Sequence, residues 1–224
     1  MKYLNNFEAA IFDLDGTLID SMKLWEHFCG DWLRSIGKIP EASLESDIVS
    51  MTLSDSAAYI NERYALTISR DELLAAWESI ITPRYLKSAQ LKEGVRELVN
   101  VLSKKMKLGV ATYSFPGSCE AILSHHGIRP LFSSIFCVNE FEELSGYKAV
   151  KRDPKFWVEA AARLNIKPEK CVVFEDSLTS VEGVRGAGMG LAAVFDQLNG
   201  NWPLLSKAAD LALNYPGEAL KYLD

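Results

Sequence analysis

The stretch AAIFDLDGTLIDS, residues Ala9 to Ser21, decides the fold. Ala9 to Leu14 is a short, mostly apolar run of the kind that forms a buried parallel strand. It ends in two carboxylates one residue apart, Asp13 and Asp15, followed by Gly16 and Thr17. Alternate side chains share a face of a strand. Gly16 turns the backbone, so both acids are expected at the strand's carboxyl end, where open α/β sheets keep their ligands. Two aspartates and a glycine alone make only a polar turn. The hydrophobic lead-in and the rest of the chain argue for more.

From about Ser21 to Lys87 the period changes from strand to helix. MKLWEHFCGDWLRSIG sets Leu24, Trp25, Phe28, Trp32, Leu33 and Ile36 at helical spacing, with Gly37 as a stop. Ser54 is placed to cap a second helix through SDSAAYINERYAL, and a third runs from about Ser69 through ELLAAWESI towards Pro83. No strand pattern interrupts this stretch. From Leu91 onward helices alternate with short strands: KLGVAT, SIFCV, CVVFED, GLAAVF and a last ADLAL. That alternation predicts a Rossmann-like parallel sheet covered on both faces. The expected architecture is an α/β core over residues 1–19 and 89–224, interrupted after its first strand by a helical cap over residues 20–88.

Composition narrows the function. The 224 residues carry a net charge of −6, which argues against binding a nucleic-acid backbone. No apolar run reaches the roughly 18 to 20 residues of a membrane helix. The opening MKYLNNFEAA lacks the basic and apolar regions of a signal peptide. Cys29, Cys119, Cys137 and Cys171 are scattered without a CxxC pair and read as reduced core residues. A cytoplasmic protein, monomeric or weakly dimeric, is expected.

Each core strand ends in a polar signal, and a parallel sheet gathers these ends on one edge. The first gives Asp13 and Asp15; the second gives Thr112, then Tyr113 and Ser114. A basic loop, YKAVKRDP, supplies Lys151, and the fourth strand ends in Glu175 and Asp176. Several carboxylates in one place need a cation, and oxygen donors without His or Cys favour Mg²⁺. A hydroxyl and a lysine opposite them suit an oxyanion such as phosphate. One carboxylate can then attack phosphorus while a second serves the leaving oxygen.

DLDGT, the threonine ending the second strand, Lys151 with Pro154 three residues on, and VVFEDS together resemble the four motifs of the haloacid dehalogenase superfamily. They occur in the family's order, and the likeness spans nearly the whole chain. The helical insert resembles the cap of the phosphatase and β-phosphoglucomutase-like branch. The resemblance implies that Asp13 is the nucleophile that becomes an aspartyl phosphate and also a Mg²⁺ ligand. It implies that Asp15 is general acid and then base, with its main-chain carbonyl on the metal. Thr112, aided by Ser114, would hold the phosphoryl group, and Lys151 would bridge Asp13 and phosphate. Asp176 would complete the metal site, with Glu175 a ligand either directly or through water. Backbone N–H groups from Leu14 and Gly16 onward would cradle the phosphoryl oxygens, beside Tyr113. Lys148 is the alternative to Lys151, and spacing to Pro154 favours the latter.

Departures from the family narrow the activity. Dehalogenases of the superfamily lack the second Asp, and phosphonatases replace it by Ala; Asp15 is present here. β-Phosphoglucomutases carry a cap histidine where this chain has Trp25, and a cap arginine near the position of Leu53. With no cation to hold a second phosphate, hydrolysis is expected over mutase activity. The implied substrate is a small organic phosphate, of which sugar phosphates are the class that the likeness favours. Trp25 is the cap residue expected to face it. The remaining alternatives are a sugar phosphomutase and a phosphate-binding regulatory protein without turnover. Asp20 reads as a hinge residue and Ser177 as a helix cap. His27, His125 and His126 read as surface or packing residues.

Overall fold

A computed structural model describes residues 2–49, 51–138, 151–199 and 201–224. Lys148 lies outside the described residues. Ala9–Phe12 (β1) sits inside a six-stranded parallel sheet with Lys107–Thr112 (β4), Ser134–Cys137 (β5), Cys171–Glu175 (β6), Gly190–Val194 (β7) and Leu211–Leu213 (β8). The strand order is β5-β4-β1-β6-β7-β8. The chain leaves β1 for β4 and β5 on one side, then crosses to β6, β7 and β8 on the other. The crevice created by that reversal opens at the carboxyl end of β1, beside Asp13.

Both faces of β1 are buried, as its unbroken apolar run requires. Ala10 and Phe12 point into one core with Leu108, Val110, Val172 and Phe174. Ala9 and Ile11 point into the other with Val173, Leu191, Phe156 and Trp157. The four cysteines are free and buried. No helix among the described residues is long and apolar enough to cross a membrane.

Between β1 and β4 lie a short ribbon, the five helices its two strands enclose among the described residues, and then the core helix Val95–Leu102. Ile19–Asp20 (β2) pairs antiparallel with Gln90–Leu91 (β3), so the chain leaves and re-enters the core side by side. This ribbon is too short to carry a readable alternation. Exposed Asp20 lies in it, opposite Gln90. The helices are Met22–Trp25 (α1), Phe28–Ser35 (α2), Leu44–Ile48 (α3), Leu53–Arg63 (α4) and Arg70–Ser88 (α5).

Three local expectations need correction. The single helix expected from Met22 to Ile36 is broken at Glu26 and His27, where His27 adopts φ −135° and ψ 21°. Trp25 is tied back to Asp15 and Tyr85, whereas Phe28 and Trp32 pack on Trp77; the break lets both sets of contacts form. The cap of α4 is Thr52, not Ser54: its extended backbone lets Oγ1 accept from the Asp55 N–H at 3.1 Å. The third helix runs on through Pro83 to Ser88. Proline forfeits one hydrogen bond there, but Trp77, Ile81 and Tyr85 form one wholly buried face across it. At its start, Ser69 and Glu72 form the reciprocal capping box.

The long helix α5 docks on the core helix Pro116–His125 through polar contacts as well as packing. Glu78 Oε1 accepts from the Ser118 N–H at 3.1 Å, and Thr82 Oγ1 lies 2.6 Å from Ser118 Oγ. The insert is thereby set above the edge where β1, β4 and β6 end.

Candidate active site

The turn after β1 is held by its own backbone. The Leu14 carbonyl accepts from the N–H groups of Leu18 and Ile19, and the Gly16 N–H donates to the Ile19 carbonyl. Gly16 has φ +77°, and a Cβ there would meet Asp176 Oδ2 at 2.1 Å. Glycine is required on both counts. Lys92 braces the turn from the other side, donating to the Gly16 carbonyl at 2.6 Å and pairing with Asp196 at 3.0 Å.

The turn aims Asp13 at Lys151, whose Nζ lies 2.6 Å from Asp13 Oδ1 and 2.7 Å from Glu175 Oε1. All three side chains are buried. The loop around Lys151 is closely fixed: its N–H donates to the Tyr113 hydroxyl at 2.7 Å, and its carbonyl accepts from Trp157 Nε1 at 2.6 Å. Burial pulls the lysine pKa down, but the charges of Asp13 and Glu175 outweigh it and hold the ammonium protonated well above its usual range. Burial pushes Asp13 well above the carboxylate range. Lys151 opposes that, and the charges of Glu175, Asp176 and Asp15 reinforce it.

Asp176 completes a group of three buried acids with Asp13 and Glu175, whose ligand oxygens lie within 4.8 Å of one another. Thr17 Oγ1 donates to Asp176 Oδ1 at 3.3 Å, and Asn199 Nδ2 donates to Oδ2 at 3.0 Å. Glu175 Oε2 accepts from the Ser177 N–H at 2.8 Å, and Ser177 Oγ caps the turn that follows. An all-oxygen, anionic donor set facing one lysine fits a hard divalent cation. Burial, followed by the charge of Glu175, lifts the Asp176 pKa to about 7.

That shift has a defined sign. Unfolded Asp ionises near pH 3.9, whereas folded Asp176 keeps its proton to about pH 7. The folded state therefore binds the extra proton between those limits, and its stability falls as pH rises through them. With a chelator present, the melting temperature should fall from about pH 4 to pH 7 more steeply in the wild type than in Asp176→Asn. Equal slopes would remove Asp176 as the source.

Thr112 is buried at the end of β4, and its Oγ1 accepts from the Ser114 N–H at 2.9 Å. Asp15 stands apart from the acid cluster. Its Oδ1 accepts from Ser21 Oγ at 2.5 Å and Trp25 Nε1 at 3.2 Å, and from the Tyr85 hydroxyl; its Oδ2 accepts from Ser114 Oγ. A cavity of about 430 Å³ joins the two groups. Its floor holds Asp13, Asp15, Thr112, Tyr113, Ser114, Lys151, Glu175 and Asp176, and its insert wall is Met22, Trp25, Val49, Met51 and Leu53.

The positions singled out in the sequence thus converge, apart from Leu14, which is buried and anchors the turn through its carbonyl. Trp32 and Trp77 are core, while Trp25 both packs and faces the cavity. His27 and His125 are exposed, and a ring nitrogen of His126 contacts the Ala89 carbonyl. Tyr85, Ser21, Thr17 and Asn199 complete the site without having been singled out.

Residues 10–194 match the family model of the haloacid dehalogenase-like hydrolases. The chain belongs to this family and is an enzyme of phosphate-ester hydrolysis. It is 30% identical over 220 residues to a phosphorylated carbohydrates phosphatase of Thermotoga maritima, covering 96% of this chain and 98% of that one. A fructose-1-phosphate phosphatase of Escherichia coli is 24% identical, covering 82% and 94%. The crystal structure of a β-phosphoglucomutase from Clostridium difficile shares the fold, with a TM-score of 0.70 at 21% identity over 95% and 92% of the two chains.

Proposed function

We propose that the chain is a Mg²⁺-dependent phosphomonoesterase that hydrolyses a small sugar phosphate through a phosphorylated Asp13. The observation that carries this is the pairing of Asp13 with Lys151 on the floor of a cavity that also contains Asp15. Lys151 steers one Asp13 oxygen and leaves the other for phosphorus, and it neutralises charge on the phosphoryl oxygens. Asp13, Asp176, Glu175 and the Asp15 carbonyl would hold a Mg²⁺, which would supply further charge neutralisation. Thr112 and Ser114 hold the phosphoryl group. In the first step an Asp13 oxygen bonds to phosphorus, the ester P–O bond breaks, and Asp15 protonates the leaving oxygen. In the second, Asp15 takes a proton from water, which bonds to phosphorus and releases Asp13 and inorganic phosphate.

The helical insert acts as a cap, with residues 20–88 as its proposed extent, and shields the site from water. Its cavity wall of Met22, Trp25, Val49, Met51 and Leu53 contains no charged side chain. On the core side Arg152 also lines the cavity, held only loosely by Glu182 at 3.9 Å. The apolar insert wall supports a monophosphate whose organic part turns an uncharged face to the insert. A panel of sugar phosphates, nucleotides and β-glucose 1-phosphate, assayed with Mg²⁺ and with EDTA, tests the proposal. The expected outcome is release of inorganic phosphate, fastest from a sugar phosphate and lost on chelation. Isomerisation of glucose 1-phosphate without phosphate release would establish a mutase, and binding of phosphate without turnover of any ester would establish the regulatory reading.

A further inference from the structure

The carboxyl group of Asp15 is gripped unevenly. Three donors converge on Oδ1: Ser21 from the ribbon's exit, Trp25 from α1 and Tyr85 from α5. A single donor, Ser114 of the core, meets Oδ2. Tyr85 is wholly buried three residues before the end of α5, and its hydroxyl also lies 2.9 Å from both Trp25 Nε1 and Ser114 Oγ. Burial, followed by the charge of Asp15, pushes its pKa well above the phenol range, so it remains a donor. A buried phenol is retained only where its hydroxyl has partners, and here each of them belongs to the surroundings of Asp15.

We propose that Tyr85 is a positioning residue for proton transfer, anchoring Oδ1 of Asp15 to the insert so that Oδ2 meets the leaving oxygen. This rests on the reading of Asp15 as the proton donor. As Asp13 bonds to phosphorus and the ester P–O bond breaks, the electron pair passes to the leaving oxygen, and Oδ2 delivers the proton to it. Ser114, the one partner of Oδ2, yields its place at that moment. Because two of the three anchors lie on insert helices, the donor is aimed only when those helices are seated. A displacement of about 1 Å at such a group costs on the order of a hundredfold in rate.

The test compares kcat/KM for two esters, which reports events up to the first P–O cleavage. p-Nitrophenyl phosphate releases a stabilised phenolate that needs no proton, whereas the sugar phosphate turned over fastest in the panel needs one. Tyr85→Phe keeps the ring packing and should lower kcat/KM for the sugar phosphate about ten- to hundredfold while changing the aryl ester by less than about threefold. Ser21→Ala removes another donor from the same oxygen. Ser21 precedes α1 but its hydroxyl makes no cap bond to that helix, so the variant should show the same selectivity whatever the stability of the tyrosine variant. Asp15→Asn should show it more strongly. Equal losses on both esters in Tyr85→Phe and Ser21→Ala, or no loss on either, would overturn the positioning role. Equal losses in Asp15→Asn would overturn Asp15 as the donor, and the positioning role with it.

Discussion

Asp13→Asn should lower turnover of every phosphate ester by roughly 10⁴-fold or more, with the fold intact. The amide keeps the shape of the side chain but gives up the anionic oxygen that must bond to phosphorus. It also removes one of three carboxylates crowded within 4.8 Å in the apo protein, where their mutual repulsion and burial work against ionisation. The variant gives up the pair with Lys151 but leaves that lysine paired with Glu175, so the metal-free protein should melt close to the wild-type temperature at neutral pH, although it is inactive. Loss of activity with retained stability separates a chemical role from a structural one. Residual activity above about one per cent of wild type would mean that another group attacks phosphorus.

Lys151→Met has the opposite signature, damaging stability and rate together. Nζ bridges Asp13 and Glu175 at 2.6 and 2.7 Å, and little of this buried arrangement is open to solvent screening. Removing the cation leaves buried carboxylates without compensation, a loss of about 3–5 kcal/mol. The urea midpoint should fall accordingly, and the deficit should shrink as the pH is lowered and the acids take up protons. The rate should fall about 10²- to 10³-fold, the usual cost of one lost donor to the transferring group. A fully stable Lys151→Met protein would show that Lys151 is not the principal counter-charge.

Much of this site was legible because a parallel sheet converts strand order into spatial convergence. Asp13, Thr112 and Glu175-Asp176 each follow or end an apolar strand, those ends lie on one edge, and Lys151 joins them from the basic loop before Pro154. The surroundings of Asp15 were less legible. Tyr85 is 70 residues from Asp15, and its approach depends on how α5 docks on the core. One signal did exist: Trp77, Ile81 and Tyr85 continue a four-residue apolar spacing across Pro83, so the helix does not stop at the proline. Asn199 follows β7 by five residues, in the turn after a parallel strand, yet its contact with Asp176 depends on the fold of that turn. The β2–β3 ribbon consists of two residues on each side and is fixed by the chain's re-entry to the core rather than by local preference.

The phosphorylated enzyme itself is the most direct object to look for. Wild-type protein mixed with excess sugar phosphate and Mg²⁺ is quenched in acid within one turnover, then digested and mapped by mass spectrometry. The expected result is one added phosphoryl group on the peptide that contains Asp13, appearing before free phosphate accumulates and absent from Asp13→Asn. Hydrolysis that proceeds with no phosphorylated peptide at any time, or with the group on a residue other than Asp13, would contradict it.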